Sequence, residues 1–187
     1  MTIDTVPTSA PKNWDLGLQS LHWLMATLIP AAWLLAVLRE DMPREIAGRL
    51  MFFHKSIGAL VFLLVLVRIL WRLSHTAPEP EKTPWEPYAH LLASAGHGLL
   101  YLLMFAVPLG GILTSLLGGR PVPFFGLTEF ALPIAPNRDL AKTIAGAHEF
   151  AGHLLLLVAF AHAAAGIFHQ VVLKDRTLLK MKPFARR

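Results

Sequence analysis

Nine histidines lie in a chain of 187 residues that is 55% hydrophobic. His148, His153, His162 and His169 fall within "AHEFAGHLLLLVAFAHAAAGIFH", which is otherwise almost wholly apolar. An imidazole in such surroundings is costly unless its nitrogens find partners. The neutral ring is also a common metal ligand, so histidines that pair inside an apolar setting point to metal coordination. A helix turns about 100° and rises about 1.5 Å per residue. The 14-residue step from His148 to His162 therefore returns to within about 40° of one face, about 21 Å further along. His153 lies about 140° from His148 and about 180° from His162, so it points elsewhere. His169 falls about two turns beyond His162 on roughly the same face.

Only long apolar helices can hold rings at such depths. The chain is 16% charged with mean hydropathy +0.52, a balance that marks membrane helices rather than a water-soluble domain. Four apolar runs occupy about 16–38, 50–70, 90–117 and 143–173, each long enough for roughly 30 Å of hydrocarbon. Pro30 predicts a kink in the first, and Pro108, Gly110 and Gly111 loosen the third. The Pro-rich, charged stretch from Ser74 to Tyr88 reads as a loop. So does Gly118 to Asp139, which is apolar in places and is expected to fold back on the membrane surface. No repeat divides the chain, so residues 1–187 read as one all-α domain, an integral membrane four-helix bundle.

With no cysteine, disulfides, thiolate zinc sites, iron–sulfur clusters and C-x-x-C-H haem attachment are excluded. The polar, acid-bearing start "MTIDTVPTSAPKNWD" lacks the pattern of a cleaved signal peptide, so the first run reads as a retained span. Four spans place both termini on one side. Of the 17 Lys and Arg, ten fall on the terminal side and seven on the other. The excess favours cytoplasmic termini. The net charge of +5 gathers largely in "KDRTLLKMKPFARR", a basic segment that suits a membrane surface and not nucleic acid.

In that orientation depths match in pairs. His54 begins the second span and His148 the fourth, both near the periplasmic side. His22 begins the first span on the cytoplasmic side, at the depth of His162. Two bis-histidine sites stack across the membrane, and non-covalent haem suits them, because its iron takes two axial ligands and its flat ring needs an apolar slot between helices. Arg68 follows His54 by 14 residues, level with the second site. An arginine inside a span is a functional candidate, here for a haem propionate. Lys55 is the corresponding cation at the periplasmic end. Gly58, Gly152 and Gly166 each follow a proposed ligand by one turn and leave room for a bulky ring.

These residues resemble the bacterial cytochrome b561 family of four-helix, di-haem inner-membrane proteins. The resembling stretches are "SLHWLMA", "FFHKSIG", "LVRILWRL", "HLLASAGHGLLYLL", "FGLTEF", "GAHEFAGH", "AFAHAAAG" and "LKDRTLLKMKP". They are also similar to the cytochrome b subunits that anchor formate dehydrogenases and nickel–iron hydrogenases. The resemblance implies two b haems, axial ligands at His22, His54, His148 and His162, and electron exchange with ubiquinone. It further implies, as in some members, oxidation of superoxide at the periplasmic face. A steering field for that anion would draw on Arg49, Lys55, Arg120, Arg138 and Lys142, diluted by Asp41, Glu45, Glu129, Asp139 and Glu149. Two other functions compete. One is a haem-bearing anchor that relays electrons for a partner enzyme. The other is a histidine-lined divalent-metal transporter, which the scarcity of carboxylates in the spans disfavours.

His97, early in the third span, competes with His22 or His162 as a ligand, or lines a quinone pocket. His153 reads as a packing residue, His169 as a boundary residue or quinone-site group, and His75 and His90 as solvent-facing. Trp14, Trp23, Trp71 and Trp85 near the span ends fit an aromatic belt.

Overall fold

The computed structural model describes residues 13–182. Lys12, Arg186 and Arg187, three of the ten cations in the orientation count, lie outside the described residues, as does Pro183. Four long helices form the fold: α1 Leu16–Leu38, α2 Arg44–Ser74, α3 Tyr88–Leu117 and α4 Arg138–Phe168. All four are long and apolar enough to cross a membrane. The first matches its expected bounds, whereas α2 and α4 begin earlier than their apolar runs because charged first turns extend them. The Asp15 carboxylate caps α1 by accepting from the Leu18 N–H at 3.1 Å, and Asn137 caps α4 by accepting from Leu140 at 3.0 Å. A π-helical turn, His169–Leu173, continues α4.

Consecutive helices pack side by side, whereas α1 touches α4 at few points. The central core takes Met25 from α1, Val61 and Val65 from α2, Leu100, Leu103 and Met104 from α3, and Leu155 from α4. In sequence these residues fall between the two histidine levels. Most other large apolar side chains, such as Leu73, Leu92, Phe150 and Phe160, face outward as lipid-facing positions of a bundle do.

The loop after α3 folds back, as its apolar stretches suggest, but as a hairpin: β1 Val122–Phe124 pairs antiparallel with β2 Thr128–Phe130. Phe125 and Gly126 turn it with φ of 52° and 76°, the left-handed pair of a tight hairpin turn. Val122 is buried with Ala59 and Leu116. Ser56, fully buried on α2, fastens the hairpin: its hydroxyl donates to Pro123 O at 3.2 Å and accepts from the Phe125 N–H at 3.0 Å.

At the other end the segment after α4 returns over the start of α1. Lys174 makes the turn with φ of 55°. Gln19 donates to Lys180 O at 3.1 Å, Trp23 to Met181 O at 2.7 Å, and the Trp14 N–H to Lys180 O at 3.2 Å. Lys180 forms an ion pair with Glu81 at 2.6 Å and donates to Glu79 O at 2.5 Å. This part of the basic tail is a docked segment held by specific partners, not only a membrane-facing charge patch. Ser56→Ala removes both hairpin bonds from a buried site and should cost about 1–3 kcal/mol. A lower melting temperature and faster proteolysis within residues 118–137 in detergent are the expected readings; an unchanged cleavage rate would contradict the fastening role.

Candidate functional site

At the hairpin end the structure brings His54 of α2 and His148 of α4 together, ring centroids 6.0 Å apart and planes at 81°. His54 donates its Nδ1–H to Ala32 O of α1 at 2.8 Å, and His148 donates to Val107 O of α3 at 2.7 Å. A carbonyl only accepts, so these contacts assign the ring proton to Nδ1 and leave each Nε2 with a free lone pair. That is the ligand-ready tautomer, oriented by an outer hydrogen bond. Gly111 explains the reach of His148. A Cβ there would stand 3.0 Å from the ring Cε1, and one on Gly110 3.5 Å from the His148 Cβ. Gly111 is four residues beyond Val107, so its missing side chain opens the flank of the carbonyl that His148 uses. A Cβ on Gly58 or Gly152 would meet nothing within 4 Å.

At the termini end His22 of α1 faces His162 of α4, centroids 6.2 Å apart and planes at 70°. Arg68 of α2, only 8% exposed, lies against His22 itself. Its Nη2 stands 3.3 Å from His22 Nδ1, a contact that Nδ1 accepts only while the ring proton is on Nε2, so ligation through Nε2 requires the proton on Nδ1 and the guanidinium turned aside; its Nε–H donates to the Tyr101 hydroxyl at 3.3 Å. The guanidinium also stands 5.7 Å from the Tyr101 ring centroid. His97 reaches this level too, its ring 5.1 Å from that of His162, with Nδ1 bonded to Ala93 O at 2.6 Å. Beside Gly166 lies Leu178 of the returning tail, 3.6 Å from where a Cβ would stand.

Both pairs suit a metal between two imidazoles. A metal about 2.0 Å from each outer nitrogen puts the ring centroids about 6 Å apart, close to the 6.0 and 6.2 Å separations found. The 5.1 Å contact of His97 with His162 is short for that role. α1 and α4, which carry His22 and His162, touch at few points.

Other sequence candidates stand apart. His153 is exposed, bonded to Glu149 O at 2.9 Å and edge-on to Trp33 at 5.9 Å. His169 donates Nδ1–H to Asp175 at 2.5 Å, and the Asp175 carboxylate also accepts from the Thr177 N–H at 2.8 Å. Burial alone would raise the Asp175 carboxyl, but the bonds from His169 and Thr177 hold it below its ordinary value. His75 stacks on Trp71 at 5.1 Å, and His90 is exposed. Trp14 and Trp71 are tied into the docked end, Trp71 donating to Asp15 at 2.9 Å and Arg72 lying 4.9 Å over Trp14. Lys55 is half-buried beside His54, while Arg49 is paired with Glu45 at 2.6 Å.

Four apolar spanning helices with facing imidazoles between them have the make-up of a membrane cytochrome b. The chain belongs to the prokaryotic cytochrome b561 family, whose profile matches residues 13–184. It is 35% identical over 168 residues to the probable superoxide oxidase CybB of Yersinia pestis, covering 89% of this chain and 93% of that protein. It is 28% identical over 179 residues to cytochrome b561 homolog 2 of Escherichia coli (strain K12), covering 93% of each. It is 33% identical over 168 residues to cytochrome b562 of Cereibacter sphaeroides, covering 87% of this chain and 90% of that protein. The chain is therefore a bacterial multi-pass membrane protein of the haem b electron-transfer class.

Gly111→Val should push the His148 ring off Val107 O at an overpacking cost of about 1–3 kcal/mol. Haem absorbance per chain is expected to fall, while Gly48→Val, at a site with nothing within 4 Å, leaves it unchanged. Equal spectra for the two variants would contradict the packing role.

Proposed function

We propose that the chain holds two non-covalent b haems, between His54 and His148 toward the periplasm and between His22 and His162 toward the cytoplasm. It exchanges electrons between ubiquinone in the bacterial inner membrane and a periplasmic donor, which is superoxide. The observation that carries this reading is the pair of ring separations, 6.0 and 6.2 Å, at two levels of one apolar bundle. Each haem, when bound, supplies reversible one-electron carriage at its iron.

The protein's own residues do the rest. Ala32 and Val107 carbonyls fix the His54 and His148 rings with Nε2 facing inward. Gly58 leaves space for the ring edge, and Arg68 and Lys55 are the cations for propionates at the two levels. Apolar side chains exclude water between the levels. Lys55, Arg120, Arg138 and Lys142 attract an anion to the hairpin end, with Arg49 withdrawn from that field by Glu45. At the other end the His169–Asp175 pair holds a proton beside the bilayer boundary. With Nδ1 engaged by the carboxylate, the proton His169 passes to a reduced quinone is one taken up on Nε2.

The balance is two superoxide anions oxidised to two molecules of oxygen while one ubiquinone takes two electrons and two protons to become ubiquinol. Likeness to the probable superoxide oxidase of Yersinia pestis supports the donor. The purified protein, given a superoxide source and a soluble ubiquinone, should form one quinol per two superoxide consumed. Lys55→Glu should slow this several-fold at low salt, with the difference shrinking as salt rises. Quinone reduction that needs a co-purifying dehydrogenase would instead assign the chain as that enzyme's haem-bearing anchor.

A further inference from the structure

We infer that Arg68 makes the His22–His162 level the electron-accepting end of the chain, so that electrons run from the hairpin end to the termini end. This inference rests on the two-haem reading above. Arg68 is the charged side chain among the described residues that is buried within the bundle, at 8% exposure. Among the described residues no carboxylate pairs with it. Its partners are neutral, the His22 ring and the Tyr101 hydroxyl, both at 3.3 Å. A buried cation with no protein carboxylate beside it acts strongly on its surroundings, because little solvent screens it. It favours the less positive of two redox states in a neighbouring group, which is the reduced one.

The hairpin end is built the opposite way. His54 and His148 each donate Nδ1–H to a helix carbonyl, at 2.8 and 2.7 Å. Such donation makes the ring a richer electron donor to its metal and favours the oxidised state. At the termini end the guanidinium occupies the Nδ1 side of His22, so that ring has no carbonyl there to donate to. The cations near His54 are Arg39 and Lys55, with Arg120 beside Lys55. Arg39 and Arg120 are exposed and Lys55 is only half-buried, so water and salt weaken their effect. Both differences between the levels favour an electron leaving the hairpin end and arriving at the termini end. No bond forms or breaks in that transfer; one site loses the electron that the other gains. With a propionate on Arg68 the sign is the same, since deleting the cation leaves an uncompensated negative charge at the same level.

The test is a potentiometric titration of the purified holoprotein, with the haem-to-protein ratio measured on the same samples. Two one-electron steps are expected. His148→Ala, which lacks a hairpin-end ligand, should keep the higher-potential step. Arg68→Leu should weaken electron uptake in that step at least tenfold, about 59 mV for a one-electron couple, and leave the lower step in place. Arg68→Lys should recover most of the loss, which separates charge from packing. Survival of the lower step in His148→Ala would overturn the inference, as would an Arg68→Leu protein with both haems and unmoved steps. If Arg68→Leu fails to retain its second haem, the His148→Ala result decides. Fewer than two haems per chain in the unaltered protein would defeat the two-haem reading itself, and the ratio tells that outcome apart.

Discussion

The bundle depends on satisfying imidazole nitrogens where no water is at hand. A helix already uses each carbonyl for its own ladder, but the oxygen has a second lone pair. His54 takes that of Ala32 and His148 that of Val107. The first bond ties α2 to α1 and the second ties α4 to α3. In a membrane, apolar packing gives helices little drive to associate, so such bonds and small-residue contacts fix the arrangement. Gly110 and Gly111 belong to the same constraint, because a side chain on either would crowd His148. The rings therefore orient the helices as much as the helices orient the rings.

The two ends solve this problem with different chemistry. The hairpin end uses neutral carbonyls around its ring pair and covers the neighbouring face of α2 with a short sheet latched by Ser56. The termini end uses a buried guanidinium, a tyrosine hydroxyl and a third imidazole, His97. It is closed by the returning tail, whose Lys180 and Met181 carbonyls serve Trp14, Gln19 and Trp23. A core of seven buried apolar residues separates the levels in sequence and contributes from every helix. The family assignment gives this asymmetric bundle its chemistry, electron transfer by haem b.

The spans and the facing of His54 with His148 and His22 with His162 were legible in the sequence, because apolar run length and a 14-residue step report directly on depth and face. The partners of those rings were not. Periodicity gives a direction, but it does not say which carbonyl or side chain a neighbouring helix presents. Arg68 had the expected depth, yet its contact with His22 depends on the rotation of α1 against α2. Ser56, two residues after His54, reads as an ordinary small polar residue until the hairpin is seen above it. The hairpin was hidden because its strands are three residues each and its loop is partly apolar. The Gly110–Gly111 pair just after Val107 was a visible signal of close approach, read only as loosening. Gly166, beside a candidate ligand, also meets the returning tail at Leu178.

The most direct measurement is a reduced-minus-oxidised spectrum of the purified protein with its haem-to-protein ratio, repeated on His54→Ala and His22→Ala. Two b haems per chain are expected, falling to one in each variant while the protein remains folded. A single haem in the unaltered protein, or a second haem that survives loss of His22, would contradict the paired assignment and turn attention to His97.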